Sequence, residues 1–321
     1  MQNTTRLLER HVDQLADNRV LVVDADDSAL ASLVGAAGVV HADRADVRAS
    51  QYAPMPMLAA DTSLLVVILP KSRERLAWLL EGLARQLSAP MNCWLVGPGK
   101  GGIRGALKLF AEYTDLVEQL DSARHCKLFA ARLQPRRGAT ELTCDPVWQW
   151  QGLRICSLPG VFAHGRLDEG SELLLSAMDQ SALAGSVLDM GCGSGILSAR
   201  LASLGCRVTA CDVSATAVAA TKATLAANGL EGKVFHSDLF AAVAGQTFDL
   251  ICTNPPFHAG IEQTTLISRR LISSARGHLR PGGQLLLVAN QGLPYGDWLH
   301  EAFSRVEMVL ENRRFRVWRA A

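Results

Sequence analysis

The 321-residue chain lacks several features that would place it in other classes of protein. It has no apolar run near the ~20 residues that a membrane-spanning helix needs, and its first residues contain no apolar stretch of a signal peptide. We therefore expect a protein that stays in the cytosol. None of its eight cysteines forms a Cys-x-x-Cys pair, and several fall within predicted strands. Buried free thiols are expected rather than disulfides or a redox motif.

The chain also lacks charge of one sign, since 32 lysines and arginines stand against 31 acidic residues. A near-neutral total neither indicates nor excludes nucleic acid, because an RNA footprint is a local basic face. No group of histidine, cysteine and acidic residues has metal-ligand spacing, even around His258, so no metal is predicted. Three clusters are candidates for phosphate contact, although each alone is more typical of a solvated surface: Lys100/Arg104/Lys108, Arg136-Arg137 and Arg313-Arg314-x-Arg316.

A glycine-rich motif follows the first predicted strand of the second half. Residues 189–195 read Asp-Met-Gly-Cys-Gly-Ser-Gly and precede a helix-like run that starts at Ile196. Glycine in a strand-to-helix turn permits positive φ and close approach of the backbone to a ligand. A dinucleotide fingerprint would place its third glycine at position 196. The spacing of Gly191, Gly193 and Gly195 therefore favours S-adenosyl-L-methionine over NAD.

A second motif, Asn-Pro-Pro-Phe at 254–257, follows the predicted buried strand 248–253. The Asn254 side-chain oxygen and the Pro255 carbonyl can each accept one N–H from a planar amino group. This arrangement turns the nitrogen lone pair toward a methyl donor, and Phe257 can stack on the ring that carries the amine. Alternatively, Asn-Pro-Pro simply ends a strand. Its place after the glycine turn favours the amine pocket, with Asn254, Pro255, Pro256 and Phe257 as catalytic residues.

Acidic residues end or follow three of the predicted strands. Asp212 lies about 20 residues beyond the first glycine of the motif, where a carboxylate binds ribose hydroxyls. Asp238 can accept a hydrogen bond from an adenine amino group, although a surface aspartate in a loop is nearly as good an explanation. Asp189 is expected near the methionine ammonium group of the cofactor. As a buried carboxylate it needs polar partners in any case.

Leu-Pro-Gly-Val-Phe at 158–162 and Leu-Asp-Glu-Gly-Ser at 167–171 precede these two motifs. Together the four runs resemble the bacterial ribosomal RNA guanine-N2 methyltransferases of the RsmC and RlmG type, closely over the C-terminal half. Length and the form of the N-terminal half are more similar to the small-subunit (16S rRNA) type. The resemblance implies that residues 254–257 form the amine pocket. It also implies a cofactor site lined by Phe162, Asp189, Gly191, Cys192, Gly193, Gly195, Asp212, Val213, Asp238, Leu239 and Asn254.

Strand and helix patterns alternate in the second half, which predicts a parallel sheet with helices on both faces. The end of the first half has the same order of predicted elements as the end of the second. Its strands at 92–97 and 126–130 correspond to the strands at 284–289 and 315–319. Two unrelated α/β units are the alternative to a duplication. We predict an α/β protein of two doubly wound, Rossmann-like methyltransferase-type domains. The degenerate one spans 1–135, a linker 136–149 and the catalytic one 150–321.

The sequence therefore predicts a monomeric enzyme that methylates the exocyclic N2 amine of a guanine in 16S ribosomal RNA of the small subunit. The guanine must be unpaired or flipped to present its amine. The N-terminal domain would clamp RNA or support folding. One alternative is another planar acceptor, such as adenine in nucleic acid or a glutamine of a translation factor. The other is a noncatalytic RNA-binding protein that retains a cofactor pocket.

Overall fold

Two seven-stranded sheets form the framework of the chain. The computed structural model describes residues 1–100, 102–138, 144–179, 183–255 and 261–321, and only the backbone of residues 261–264. The chain divides into two units, Met1–Thr143 and Cys144–Ala321. Within the described residues, no helix is long and apolar enough to cross a membrane.

The first unit alternates strands with short and medium helices. Its helices are α1 (Asn3–Leu8), α2 (Val12–Ala16), α3 (Leu30–Leu33), α4 (Arg73–Gln86) and α5 (Ile103–Tyr113), with a 3-10 turn at Glu9–His11. Its strands are β1 (Val20–Val23), β2 (Val39–Ala42), β3 (Gln51–Tyr52), β4 (Leu64–Ile68), β5 (Met91–Pro98), β6 (Thr114–Ala123) and β7 (Cys126–Leu133).

The second unit begins with a two-stranded hairpin of β8 (Pro146–Trp150) and β9 (Leu153–Cys156). Its β8 thus begins inside the segment predicted as a linker. The remaining strands are β10 (Ser186–Met190), β11 (Arg207–Asp212), β12 (Lys233–His236), β13 (Phe248–Thr253), β14 (Leu279–Asn290), β15 (Val306–Glu311) and β16 (Phe315–Ala320). The helices are α6 (Glu169–Asp179), α7 (Ile196–Ser203), α8 (Ala215–Ala227), α9 (Ile261–Ala275) and α10 (Tyr295–Ala302), with 3-10 turns at Ala241–Val243 and Arg276–His278.

The central strands are continuous apolar runs because helices cover both faces of each sheet. All residues of β1 and β4 are buried, and their side chains divide between two hydrophobic clusters, one on each face. The second unit repeats this arrangement around β10 and β13, with one cluster on each face of the sheet. Burial on both faces explains why these strands show no polar alternation.

The two sheets have the same strand order. It is β3-β2-β1-β4-β5-β7-β6 in the first unit and β12-β11-β10-β13-β14-β16-β15 in the second. In each sheet one strand, β7 or β16, runs antiparallel to both of its neighbours. Agreement over all seven strands confirms the prediction of two doubly wound, Rossmann-like domains.

The strand order fixes where a ligand can bind in the second unit. From β10 the chain moves outward to β11 and β12, and then returns to β13 on the other side of β10. The carboxyl ends of β10 and β13 therefore flank a topological switch point, where doubly wound sheets bind their ligands. Both sequence motifs begin at these two strand ends.

The sequence pattern predicts a helix over residues 266–279 and a turn at Arg-Pro-Gly-Gly, residues 280–283, and the structure shows that both predictions are wrong in their boundaries. The helix predicted over 266–279 ends at Ala275, and Leu279 already pairs with Phe248 as the first residue of β14. The predicted turn at 280–283 is an irregularity inside β14, where the pairing moves from Phe248↔Leu279 to Leu250↔Gln284. The Arg-Pro-Gly-Gly run does bend the chain, but pairing with β13 resumes immediately afterward. Turn residues inside a paired strand are typical of a bulge.

In the first unit, charged side chains lie at the position of the switch point. Arg75, in α4, is only 5% exposed, and its Nε and Nη2 donate to Asp24 Oδ1 at 3.0 and 2.6 Å. Its Nη2 also lies 3.6 Å from Asp43 Oδ1. Asp24 directly follows β1, with φ of +59°, and its backbone N–H donates to His41 Nδ1 at 3.1 Å. This group lies where the second unit carries its glycine turn.

Arg75→Ala is expected to destabilise the first unit by about 3–5 kcal/mol, because it leaves two largely buried carboxylates without their cation. Urea unfolding of the full chain, with hydrogen exchange at β1 and β4 amides, measures the effect. Arg73→Ala is the matched control, since Arg73 begins the same helix but is exposed. It should change stability by less than about 0.5 kcal/mol. Equal effects of the two substitutions would contradict a structural role for the buried group.

Candidate active site

The glycine turn is held against the end of β11 by its backbone. The N–H groups of Gly191 and Cys192 both donate to the Cys211 carbonyl, at 2.8 and 3.1 Å. Gly191 and Gly193 have φ of +78° and +55°, and a Cβ built on either would meet no atom within 4 Å. The turn therefore needs glycine for its backbone conformation and leaves open space on its surface, as a turn that approaches a ligand requires.

Gly195 has a different role. A Cβ there would lie 2.8 Å from the Thr221 Cα, so its absence lets the start of α7 pack closely against α8. Two buried threonines of α8 then fix the turn, because Thr221 Oγ1 donates to the Gly193 carbonyl at 3.1 Å and Thr224 Oγ1 to the Ser194 carbonyl at 2.7 Å. Thr221 Oγ1 also lies 3.1 Å from Cys192 Sγ, and burial raises the pKa of this thiol well above its usual value. Cys192 is thus a buried part of the turn.

Asp212 ends β11 and binds the turn from the other side. Its Oδ2 accepts the Gly193 N–H and its Oδ1 accepts the Ser214 N–H, both at 2.9 Å. The carboxylate is therefore held beside the glycine turn at the same edge of the sheet. Asp238 lies one strand further out, since the Ser237 N–H donates to the Asp212 carbonyl at 2.8 Å. The parallel pairing of β10, β11 and β12 therefore brings the glycine turn, Asp212 and Asp238 side by side.

The remaining predicted cofactor residues lie on the loops around these ends. The Val213 carbonyl accepts a hydrogen bond from His236 Nε2 at 2.8 Å, and the Leu239 carbonyl accepts one from Ser237 Oγ at 2.7 Å. Phe162 is 50% exposed in the turns that precede α6. Asp238 is partly exposed, with its Oδ2 3.7 Å from Arg270 Nη2.

Asp189 is fully buried beneath the turn. Its Oδ2 accepts a hydrogen bond of 2.5 Å from Ser198 Oγ, whereas its Oδ1 has no partner among the described residues. Burial raises the pKa of Asp189 to about 7 even though the Ser198 hydrogen bond lowers it, and the charge of Asp212 adds to the rise. A buried acceptor without a donor is unfavourable. The environment of Asp189 Oδ1 therefore fits a site that a positively charged ligand completes.

Asn254 directly follows β13 and is only partly buried. Its Nδ2 donates to Asp168 Oδ2 at 3.1 Å and to Ser171 Oγ at 2.8 Å. The preceding residue, Thr253, is tied to β10 because its Oγ1 donates to the Met190 carbonyl at 2.8 Å. Pro255 is buried. Pro256 and Phe257, also predicted as catalytic residues, and His258 lie outside the described residues.

Sequence reasoning missed four polar residues that support this site. Asp168 and Ser171 contact Asn254 from the start of α6, and Thr221 and Thr224 hold the glycine turn from α8. The Asp-x-x-Ser spacing before an apolar helix is a recognisable capping signal, since the Asp168 side chain accepts the Ser171 N–H. That signal predicts a helix start but not a contact with Asn254. Within the described residues, no group of three or more His, Cys, Asp or Glu forms a metal site.

The fold and the site define an S-adenosylmethionine-dependent methyltransferase. The family model "Methyltransferase small domain" matches residues 152–319, and "Methyltransferase small domain N-terminal" matches residues 5–149. The ribosomal RNA small subunit methyltransferase C of Alcanivorax borkumensis is 50% identical over 323 residues, covering 100% of this chain and 99% of the relative. The enzyme of the same name from Salmonella gallinarum is 38% identical, covering 98% and 95%. The chain belongs to the family of ribosomal RNA small subunit methyltransferase C.

A solved structure confirms the fold over both units. It is described as the T. thermophilus 16S rRNA N2 G1207 methyltransferase (RsmC) in complex with AdoMet and guanosine. The TM-score is 0.80 at 23% identity, covering 96% of this chain and 91% of that one. The family models and the relatives confirm the family that the sequence motifs indicated, and this structure confirms the fold.

The raised pKa of Asp189 predicts a pH dependence of folding stability. The unfolded carboxyl ionises near pH 4, and the folded one only near pH 7. Between these values the unfolded chain releases a proton that the folded chain keeps, so stability contributed by this site falls as pH rises. Asp189→Asn removes that dependence. Its stability relative to the original chain should therefore increase by on the order of 1–3 kcal/mol between pH 4.5 and 8.

Urea unfolding of the cofactor-free protein across this pH range provides the measurement. Asp249→Asn is the matched control, because hydrogen bonds from the Ser186 N–H and from Arg280 lower the pKa of Asp249. Its effect should be constant above pH 5, since Asp249 is then ionised in both states. A constant difference for Asp189→Asn as well would show that Asp189 is already ionised in the folded protein.

Proposed function

We propose that this chain transfers a methyl group from S-adenosylmethionine to the exocyclic N2 amine of a guanine in 16S ribosomal RNA. Two relatives that support this proposal are named ribosomal RNA small subunit methyltransferase C, and the solved structure of similar fold is described as a 16S rRNA N2 G1207 methyltransferase in complex with AdoMet and guanosine. The observation that carries the proposal is the orientation of Asn254. Both hydrogens of its Nδ2 have acceptors, so Oδ1 is the polar atom of the carboxamide that remains to accept an amine hydrogen.

The described residues fit the cofactor. The open faces of Gly191 and Gly193 would allow close approach, Asp212 would bind the ribose, and the 238–239 segment would contact the adenine. Asp189, whose Oδ1 has no partner among the described residues, would favour the positively charged methionine end. Cys192, Gly195 and Val213 would line the site through the backbone, and Phe162 from the preceding loop. When bound, the cofactor supplies a methyl group that its sulfonium already activates.

The protein then has to position the amine. Asn254 Oδ1 and the Pro255 carbonyl would each accept one hydrogen, which leaves the nitrogen lone pair facing away from both acceptors. No strong base is needed before the reaction, because the nitrogen loses a proton after it becomes cationic. Pro256 and Phe257 are proposed to complete the pocket by stacking on the guanine.

Two of the three basic clusters that the sequence suggests for RNA contain arginines that are held in ion pairs. Arg136 is held by Glu81 at 2.9 Å and lies 4.0 Å above the Tyr113 ring. Arg314 and Arg316 pair with Glu169 and Glu311 at 3.0 and 3.1 Å. Lys100, Arg104 and Lys108 are exposed and make no ion pair within the described part of the chain. Unpaired, hydrated cations are free to bind phosphates.

We define a basic edge of the first unit by five residues. Three of them, Lys100, Arg104 and Lys108, follow β5 in the chain, and two, Arg124 and Lys127, lie at the turn between β6 and β7. The Gly99 N–H donates to the His125 carbonyl at 2.7 Å, and Pro98 pairs with Cys126 across β5 and β7. The loop that carries Lys100 therefore lies beside the 124–125 turn. We propose that this edge contacts the RNA backbone, and that the protein acts in the cytosol as a monomer.

Tritium transfer from labelled cofactor into small ribosomal subunits, followed by nucleoside analysis, tests the proposed reaction. Label in N2-methylguanosine is expected. Label in methyladenosine or in a ribosomal protein would instead support another planar acceptor, such as adenine or glutamine. Absence of label under saturating cofactor would favour a noncatalytic RNA-binding protein.

Asn254→Ala should lower the single-turnover rate at least about a hundredfold and change cofactor affinity less than about twofold. The side chain acts on the amine in the reacting geometry rather than on the cofactor. Asn228→Ala is the control, because that carboxamide also bridges two segments, α8 and β9, but at the far end of α8. Its rate should remain near that of the original chain. A wild-type rate for Asn254→Ala would remove the amine-holding role.

Replacing Lys100, Arg104 and Lys108 together by glutamine should weaken binding to small subunits and reduce its dependence on salt. Each lost phosphate contact lowers the slope of log K against log salt by about 0.7–0.9, so a decrease of about 2 is expected. A triple replacement of Arg6, Arg48 and Arg132, all exposed in the same unit, is the charge-matched control. Equal changes in slope for both variants would show that net charge, not the basic edge, governs binding.

A further inference from the structure

We propose that Asp168 and Ser171 are positioning residues that hold the Asn254 carboxamide in the orientation needed to accept an amine. This inference rests on the proposed function, because it concerns the same pocket. Neither residue contributes to the two sequence motifs. Both lie more than 80 residues before Asn254 in the chain, at separations of 86 and 83.

The orientation of the carboxamide decides what it can bind. With Nδ2 on Asp168 Oδ2 at 3.1 Å and on Ser171 Oγ at 2.8 Å, the carboxamide presents an acceptor to the pocket. A flip of 180° would turn Oδ1 toward the Asp168 carboxylate, which is acceptor-only when ionised. It would also present N–H groups to an amine that needs acceptors. The carboxylate therefore makes the flipped orientation unfavourable, and the hydroxyl uses the second hydrogen.

Asp168 is itself fixed by the start of α6. Its Oδ2 also accepts the Ser171 N–H at 3.1 Å, and its carbonyl accepts the Glu172 N–H at 2.9 Å. The adjacent glycine allows this packing, because a Cβ on Gly170 would lie 3.1 Å from Asp168 Oδ2 and 3.3 Å from the Phe315 ring. The partners of Asn254 thus belong to a helix end that packs against β16.

The first turn of α6 is also tied to the β15–β16 turn. Glu169 accepts hydrogen bonds from Asn312 Nδ2 at 3.2 Å and from Arg314 Nη1 at 3.0 Å. Asn312 in turn accepts the N–H groups of Arg314 and Phe315 through Oδ1, at 2.9 and 2.8 Å. These bonds hold the start of α6 against the β15–β16 turn. Preorganisation of this kind keeps a functional side chain in a narrow range of orientations.

Helix capping alone would also place Asp168 at this position. A substitution at Ser171 distinguishes capping of α6 from orientation of the Asn254 carboxamide. The cap needs the Ser171 backbone N–H, which Ser171→Ala retains. The hydroxyl, in contrast, is the second acceptor for Asn254. Ser171→Ala therefore removes a contact with the carboxamide while it preserves the cap and the helix. Ser176→Ala is the matched control in the same helix, since that residue is exposed and its hydroxyl donates to the Glu172 carbonyl.

The experiment is a double-mutant cycle on full-length protein, read by single-turnover methylation of small ribosomal subunits. Ser171→Ala should slow methyl transfer about tenfold, with the affinity for S-adenosylhomocysteine changed less than about twofold by calorimetry. Ser176→Ala should react at the original rate, and Ser171→Thr, which keeps a hydroxyl, should recover most of the loss. In the Asn254→Ala background, Ser171→Ala should have almost no further effect, because residues that act together are not additive.

Each other outcome overturns the inference. A slow Asn254→Ala variant together with Ser171→Ala at the original rate would leave the proposed function intact and exclude the positioning role. Additive losses in the double variant would show that Ser171 acts elsewhere. A parallel loss of S-adenosylhomocysteine affinity would assign Ser171 to the cofactor site. If Asn254→Ala itself reacts at the original rate, the amine-holding role and this inference both fail.

Discussion

The parallel pairing of β10 with both of its neighbours is the constraint on which the site depends. Met190 pairs with Cys211 on one side and with Thr253 on the other, so three strands end at the same level. The glycine turn, Asp212 and Asn254 follow these ends directly. A shift of one residue in either register would turn the side chains of a strand to the opposite face. Close packing of particular side chains in the apolar cores on both faces resists such a shift, so the cores also fix the position of the polar site.

The two units show how one topology can carry different chemistry. Both sheets have the same strand order, and each has a switch point beside its central strand. In the second unit the strand ends carry glycines with open surface and a buried carboxylate oxygen that has no donor within the described part of the chain. In the first unit, Arg75 bridges Asp24 and Asp43 at the corresponding ends. The first pattern leaves interactions for a ligand to complete, and the second satisfies them within the chain.

Most of the central strands and the order of the site motifs could be predicted from sequence, because they depend on local patterns. The strand 248–253 was predicted with the bounds that the structure has. The end of α9 and the start of β14 were not, since the Arg-Pro-Gly-Gly run favours a turn locally while pairing with β13 extends the strand through it. Asp168 and Ser171 gave only a capping signal, and no local pattern indicates which distant side chain a cap will contact.

Local sequence encodes the features that depend on neighbours along the chain: the glycines at positive φ, the apolar strands, and the order of motifs after them. These follow from backbone sterics and from the burial of each strand, both of which are local. Three features depend instead on tertiary contacts: the orientation of the Asn254 carboxamide, the Asp189 oxygen that has no partner among the described residues, and the pairing of Arg75 with Asp24. Each depends on atoms that strand register and helix packing bring together from distant parts of the chain, and hydrogen bonding is set by that geometry.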